Sequence, residues 1–228
     1  MEFVLLQKLA KLEGTELIMF ICAIVAVIAL IVALVLINKK HAAAEGAVSA
    51  APKSKKITTR MLVQGALCVA LAFVLSYIKL FSMPMGGSIT LFSMLPIFMF
   101  AWMYGPTAGL LAGFAYSLLQ VVQGAWIVHP VQFVLDYFIS FTVLGLAGFF
   151  PKSLALGSAV GGFARMICGI ISGVVFFADS AAEAGYSSAF LYSFMYNFTT
   201  IGVDTILCVI AALIPVVSKT AIRIRDGK

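Results

Sequence analysis

Charge is what this chain has least of. Charged residues are 11% of its 228, against about 25% in soluble domains. Such a chain cannot cover a water-facing surface, so a soluble globule is excluded. Acidic residues are scarcer still, 9 Asp and Glu against 15 Lys and Arg. The resulting net charge of +6 would suggest nucleic acid if the cations formed an aromatic-interleaved patch. They do not. Lys39, Lys40, Lys53, Lys55, Lys56 and Arg60 occupy one segment and Lys219, Arg223, Arg225 and Lys228 the tail, both beside apolar runs. They read as an orientation signal that keeps both segments in the cytoplasm. Catalytic signatures are also missing: the chain has no HExxH, GxSxG, P-loop or Cys/His cluster. No enzyme activity, metal or cofactor is therefore expected, and the chain cannot hydrolyse ATP by itself. Cys22, Cys68, Cys168 and Cys208 stand alone in apolar stretches, as small hydrophobes without a disulfide framework.

What is abundant is apolar sequence, 63% of the residues at a mean hydropathy of +1.12. From Leu17 to Ile37 no polar residue interrupts the run. A spanning helix needs roughly 20 such residues, and a backbone in lipid must satisfy its hydrogen bonds internally. The expected fold is all-α: a polytopic six-helix bundle preceded by one extra transmembrane helix. Residues 1–38 read as an uncleaved anchor with its amino end outside, because the run exceeds a signal peptide's apolar core and Lys39 and Lys40 follow at once. Residues 39–58, rich in Ala and Lys, read as a flexible cytoplasmic linker, and 59–228 as the main body in the cell membrane. Its helices are predicted near 59–80, 89–104, 107–124, 131–149, 157–178 and 188–217, broken at MPMGGS, YGPT, HP and FPKS. Six spans return the carboxyl end to the cytoplasm. Ala66/Ala70, Gly105/Gly109/Gly113 and Gly169/Gly173 form small-residue faces on which helices approach closely.

Three charged residues lie well inside the apolar body: Asp136, Arg165 and Asp204. At mid-helix each costs roughly 2.5–3.5 kcal/mol on insertion scales, so each needs a reason. Asp136 follows the HP break with Gln132 on its face at i,i+4 and Tyr137 next to it. A carboxylate there suits a cationic ligand or a proton, or else a structural hydrogen bond or ion pair. Arg165 and Asp204 are expected to neutralise one another. The last span opens with Tyr192, Ser193, Tyr196 and Asn197, an amide among aromatic rings that suggests a ligand pocket. Trp126 suits either a membrane-interface belt or a stacking plate for a cationic or aromatic ring. His129, beside Pro130, is expected to cap the loop.

Several segments taken in order, GGSITLFSMLPI (86–97), YGPTAGLLAG (104–113), HPVQFVLDY (129–137), LGLAG (144–148), SGVVFF (172–177) and YSFMYN (192–197), resemble the thiamine-specific substrate-binding subunits of energy-coupling-factor vitamin transporters, the YuaJ/ThiT family. The resemblance covers about 59–217 and implies a six-helix membrane bundle with its vitamin pocket near the outer face. It implies that Asp136 and Tyr137 contact the cationic thiazolium. It further implies that Tyr192 and Asn197 hold or line the aminopyrimidine side and that Trp126 stacks on or lids the site. The partners it implies are thiamine, a transmembrane coupling subunit docked on Ala66 and Ala70, and two ATPase subunits.

The chain departs from the family pattern at Gly169, where some members carry His, and at Phe177, where some carry Trp. Gly86, Gly87 and Ser88 replace a possible Trp lid. Three other readings stand beside this one: another vitamin or thiamine precursor as cargo, a self-sufficient proton-coupled carrier using Asp136, Asp204 and Arg165, and a membrane enzyme, which the few unmatched polar residues disfavour.

Overall fold

A computed structural model describes residues 58–226. The anchor and nearly all of the linker expected at 1–58 lie outside the described residues. The chain forms α1 (Thr59–Ser76), a two-stranded antiparallel hairpin of β1 (Lys79–Ser82) and β2 (Ser88–Thr90), α2 (Leu95–Tyr104) and α3 (Pro106–Gly124). There follow α4 (Pro130–Phe149), α5 (Leu154–Phe176), a short α6 (Ala178–Glu183), α7 (Ala189–Leu213) and α8 (Pro215–Asp226). It is an all-α polytopic membrane protein. The helices α1, α4, α5 and α7 are each long and apolar enough to cross a bilayer.

Local chemistry sets the boundaries. Thr58, Ser153 and Ser188 each accept a backbone N–H with the side chain and so open α1, α5 and α7. His129 does the same for α4, its Nδ1 accepting from Val131 N–H at 3.1 Å while the ring stacks on Phe176, which makes it the loop cap its position suggests. Gly105 turns α2 into α3 at φ +93, where a side chain would be strained.

Three predicted boundaries differ. The helix expected over 89–104 begins at Leu95, because Ser88–Thr90 pairs with β1 and Phe92 takes a positive φ. At Ser76, α1 ends and the chain enters the hairpin rather than continuing to 80. The last helix breaks after Leu213, since Ile214 is extended ahead of Pro215, and α8 is a separate element.

The core lies between α2, α3, α4, α5 and α7, around Met94, Ile97, Phe98, Tyr116 and Leu144. Helix approach rests on small residues, as the sequence spacing suggests. A Cβ at Gly145 would enter the backbone of Gly109 and Leu110, and one at Gly113 the backbone of Phe141 and Thr142. Without hydrophobic drive between helices in lipid, such close contact supplies much of the stabilisation. The circumference is apolar, with Leu62 67%, Leu67 64% and Val122 79% exposed. A surface of that kind is solvated by lipid tails.

Candidate functional site

Two helices leave the α form where polar residues concentrate. In α4 the stretch Val134–Ile139 is π-helical, and Ser140 N–H donates to Leu135 O. In α7 Phe198–Gly202 is π-helical, and Val203 N–H donates to Phe198 O. Widened turns of this type recur at functional sites. The first carries Asp136 and Tyr137, and the second carries Thr200 and Ile201 just ahead of Asp204. Thr200 and Thr205 hydroxyls donate to the carbonyls of Tyr196 and Ile201, at 2.8 and 2.7 Å, which satisfies backbone groups around the irregular turn.

These turns border a cavity of about 220 Å³. All six residues singled out from sequence line it: Trp126, Gln132, Asp136, Tyr137, Tyr192 and Asn197. The mouth lies at the end of the bundle where the hairpin, the 125–129 loop and α6 gather. Gln132, 2% exposed, organises this end. Its Nε2 donates to Asp136 Oδ2 at 2.6 Å and to Trp126 O at 3.1 Å, while its Oε1 accepts from Val128 N–H at 3.1 Å. Tyr137 Oη accepts from Trp126 N–H at 2.7 Å. The loop bearing Trp126 is thereby tied to the turn bearing the carboxylate, and no cation of the chain neutralises Asp136 by a direct ion pair among the described residues.

The opposite wall comes from α5 and α7. Gly173 and Gly169 admit Ser193 and Asn197, either of which a Cβ would displace. Ser193 Oγ donates to Ile170 O at 3.0 Å, and Asn197 Nδ2 donates to Ser193 O at 2.9 Å. The space of a side chain at position 169 is thus taken up by the Asn197 amide. Tyr186, Tyr192 and Tyr196 form an aromatic series at the mouth, with ring centroids 5.3 and 6.2 Å apart.

Tyr196, which the sequence places beside Asn197 at the opening of the last span, also lines the cavity. Tyr196 Oη accepts from Gly87 N–H at 2.8 Å and donates to Pro84 O at 2.5 Å, which fastens the hairpin turn to α7. Arg165 and Asp204 also line the cavity, and the direct pairing expected of them does not form. Thr90 Oγ1 donates to Asp204 Oδ2 at 2.7 Å, and the Arg165 guanidinium lies over the Phe141 ring, 4.0 Å from its centroid. Ala66 and Ala70 stand apart from the cavity, on the exposed side of α1. No group of metal-ligating side chains occurs among the described residues.

Fold and site together define a polytopic membrane protein with a polar cavity sunk into a helical bundle. The family model described as thiamine transporter protein matches residues 62–224, and the chain belongs to that family. It is 31% identical over 168 residues to thiamine transporter ThiT of Bacillus subtilis (strain 168), covering 65% of this chain and 86% of that protein. It is 26% identical over 158 residues to the protein of the same name from Lacticaseibacillus paracasei, covering 60% and 78%. A solved structure of ThiT from Listeria monocytogenes superposes with a TM-score of 0.57 at 23% identity, over 73% of this chain and 94% of that one, a likeness of fold.

Proposed function

We propose that this chain is the substrate-binding membrane subunit of an energy-coupling-factor transporter, and that it captures thiamine at the outer face for ATP-driven uptake. The observation that carries this reading is the Asp136 carboxylate, held by Gln132 inside a cavity whose mouth is ringed by Trp126, Tyr137, Tyr192 and Tyr196. Thiamine is a fixed cation with two aromatic rings. A carboxylate attracts the cation, aromatic faces complement it, and the amide of Asn197 offers hydrogen bonds. The names borne by the relatives support the same cargo. The carboxyl end would lie in the cytoplasm and the amino end outside, in accord with the placement of Lys and Arg. Transport would require the coupling subunit and two ATPase subunits that the family resemblance implies, in keeping with a sequence that carries no P-loop.

The test is thiamine titration of the purified protein followed by tryptophan fluorescence. The chain has two tryptophans. Trp126 lines the cavity and Trp102 does not, so Trp126→Phe identifies the source of the signal. Saturable quenching that Asp136→Asn weakens by about tenfold or more is expected, given the strength of charge-assisted contacts. Absence of quenching and of thiamine binding by equilibrium dialysis would reject the cargo. Uptake that persists without ATPase partners and collapses with the proton gradient would instead select a self-sufficient carrier.

A further inference from the structure

Of the four helices able to cross a bilayer, α1 is the least covered: 22% of its spanning stretch is buried inside the bundle, against 67% in α5. One flank of α1 borders a groove of about 350 Å³. Gln64, Cys68, Leu71 and Leu75 belong to its α1 wall, and Leu95, Met99 and Met103 of α2 to the other. Ile224 of α8 closes the inner end. No charged residue lines the groove, and its one amide is engaged within the bundle. Gln64 Nε2 donates to Ile224 O at 2.8 Å, and Gln64 Oε1 accepts from the Tyr104 hydroxyl. Such a groove suits an apolar occupant.

The chain itself carries an apolar segment outside the described residues, the run 17–37. Read from the sequence as a spanning helix, it returns to the cytoplasm at Lys39 and Lys40. The first described helix, α1, starts on that side, so the two would run antiparallel. Residues 38–58 join them, and a coil of that length spans about 25 Å, well beyond the roughly 8–10 Å between the axes of packed helices. Cys22, Ala26, Ala29 and Ala33 make one small-residue face of the run, at spacings of four, three and four. Gln64, Cys68, Leu71 and Leu75 have the same spacings, those of a seam between packed helices. With Asn38 and Thr59 level at the inner boundary, the two series meet pair by pair. Ala33 falls opposite Gln64, Ala29 opposite Cys68, Ala26 opposite Leu71 and Cys22 opposite Leu75. Small residues let backbones approach closely, which is a main source of helix association in lipid. Acyl chains could also fill the groove, but they would have no reason to match this register.

We propose that the groove between α1 and α2 is the docking site of the chain's own amino-terminal run, packed through Cys22, Ala26, Ala29 and Ala33 in antiparallel register with α1. The run is then a fixed companion of the bundle rather than a loose tether. Ala66 and Ala70 lie roughly 150° around α1 from the groove row, at about 100° per residue. The docked run therefore leaves clear the side proposed to receive the coupling subunit, and α1 can hold both. Nothing in this docking depends on the cargo.

The experiment is cysteine cross-linking of the full chain in membrane vesicles, oxidised with copper phenanthroline and mapped by mass spectrometry. Cys22→Ala with Ala29→Cys sets a new thiol opposite native Cys68, which is free. Cys168 and Cys208, 5% and 0% exposed, are shielded inside the bundle. A disulfide needs Cα atoms within about 7 Å, so this pair should bridge within one chain at least about fivefold faster than Cys22→Ala with Ile31→Cys, whose thiol lies on the opposite side of the run. Ala26→Phe added to the first pair sets a ring against Leu71 and should slow its bridge by a similar factor. Should the first variant not fold, Cys68→Ala with Leu75→Cys tests the outer end through native Cys22. That pair should bridge faster than Cys68→Ala with Val74→Cys, which is on another face of α1.

Bridging of Ala29→Cys and Ile31→Cys at equal rates overturns the docking, because the run would then meet α1 with every face. So does the absence of both bridges while a lipid-soluble maleimide still labels Cys68, which would leave the groove to acyl chains. Bridges found only between chains, as dimers on a non-reducing gel, would give the groove to a second copy and overturn docking within one chain.

Discussion

At the scale of single residues, the site is an arrangement of side chains that hold one another. Gln132 spends both amide hydrogens on Asp136 and Trp126, so it positions the carboxylate and the loop together. Tyr196 does the same for the hairpin. Tyr196→Phe removes the acceptor for Gly87 N–H and the donor to Pro84 O. At roughly 0.5–1.5 kcal/mol for each neutral bond, amide exchange over residues 84–88 should accelerate several-fold while α4 and α5 stay protected. Hydrogen–deuterium exchange by mass spectrometry checks this, and unchanged exchange in the turn would show that the tyrosine does not anchor it. The Gln132–Asp136 contact was legible because four residues on a helix share a face. The contacts of Tyr196 were not, because its partners lie more than a hundred positions away and are backbone atoms, which no side-chain pattern announces.

At the scale of elements, glycines decide how near the helices come. Gly145 on α4 faces the backbone of Gly109 and Leu110 on α3, and Gly109 also meets Ala101. A branched side chain at Gly145 must push α3 and α4 apart. Overpacking of that kind costs roughly 1–3 kcal/mol, so Gly145→Val should lower the melting temperature in detergent by several degrees and weaken ligand binding through displacement of Phe141. A thermal-shift measurement with and without ligand separates the two effects, and a melting temperature equal to the parent's would deny that this crossing is tight. The small-residue faces were visible as spacing. The π-helical turns were not: Val134–Ile139 and Phe198–Gly202 read as ordinary apolar helix, since one added residue per turn leaves no mark in composition. The hairpin also went unseen, because Lys79–Ser82 and Ser88–Thr90 are too short to show alternation and become strands only by pairing with each other.

At the scale of the whole molecule, the proposed coupling predicts that binding and transport can be separated. Ala66 and Ala70 lie on the exposed side of α1 and do not line the cavity. If that side receives the coupling subunit, Ala66→Trp with Ala70→Trp should leave thiamine affinity within about twofold, as distant sites act independently, and abolish ATP-driven uptake in vesicles holding all the subunits. Loss of affinity together with uptake would deny the separation. Membrane residence, the all-helical class, the breaks at YGPT, HP and FPKS, and the placing of Asp136 beside Gln132 were determined by the sequence alone. Each follows from composition or from spacing within one helix, and lipid leaves a polar backbone few options. The meeting of α4, α5 and α7 around one cavity, the fastening of the hairpin by Tyr196, and the separation of Arg165 from Asp204 were decided only in the tertiary structure. They depend on the angles and depths at which different helices pack, and those are set by contacts between residues far apart in the chain.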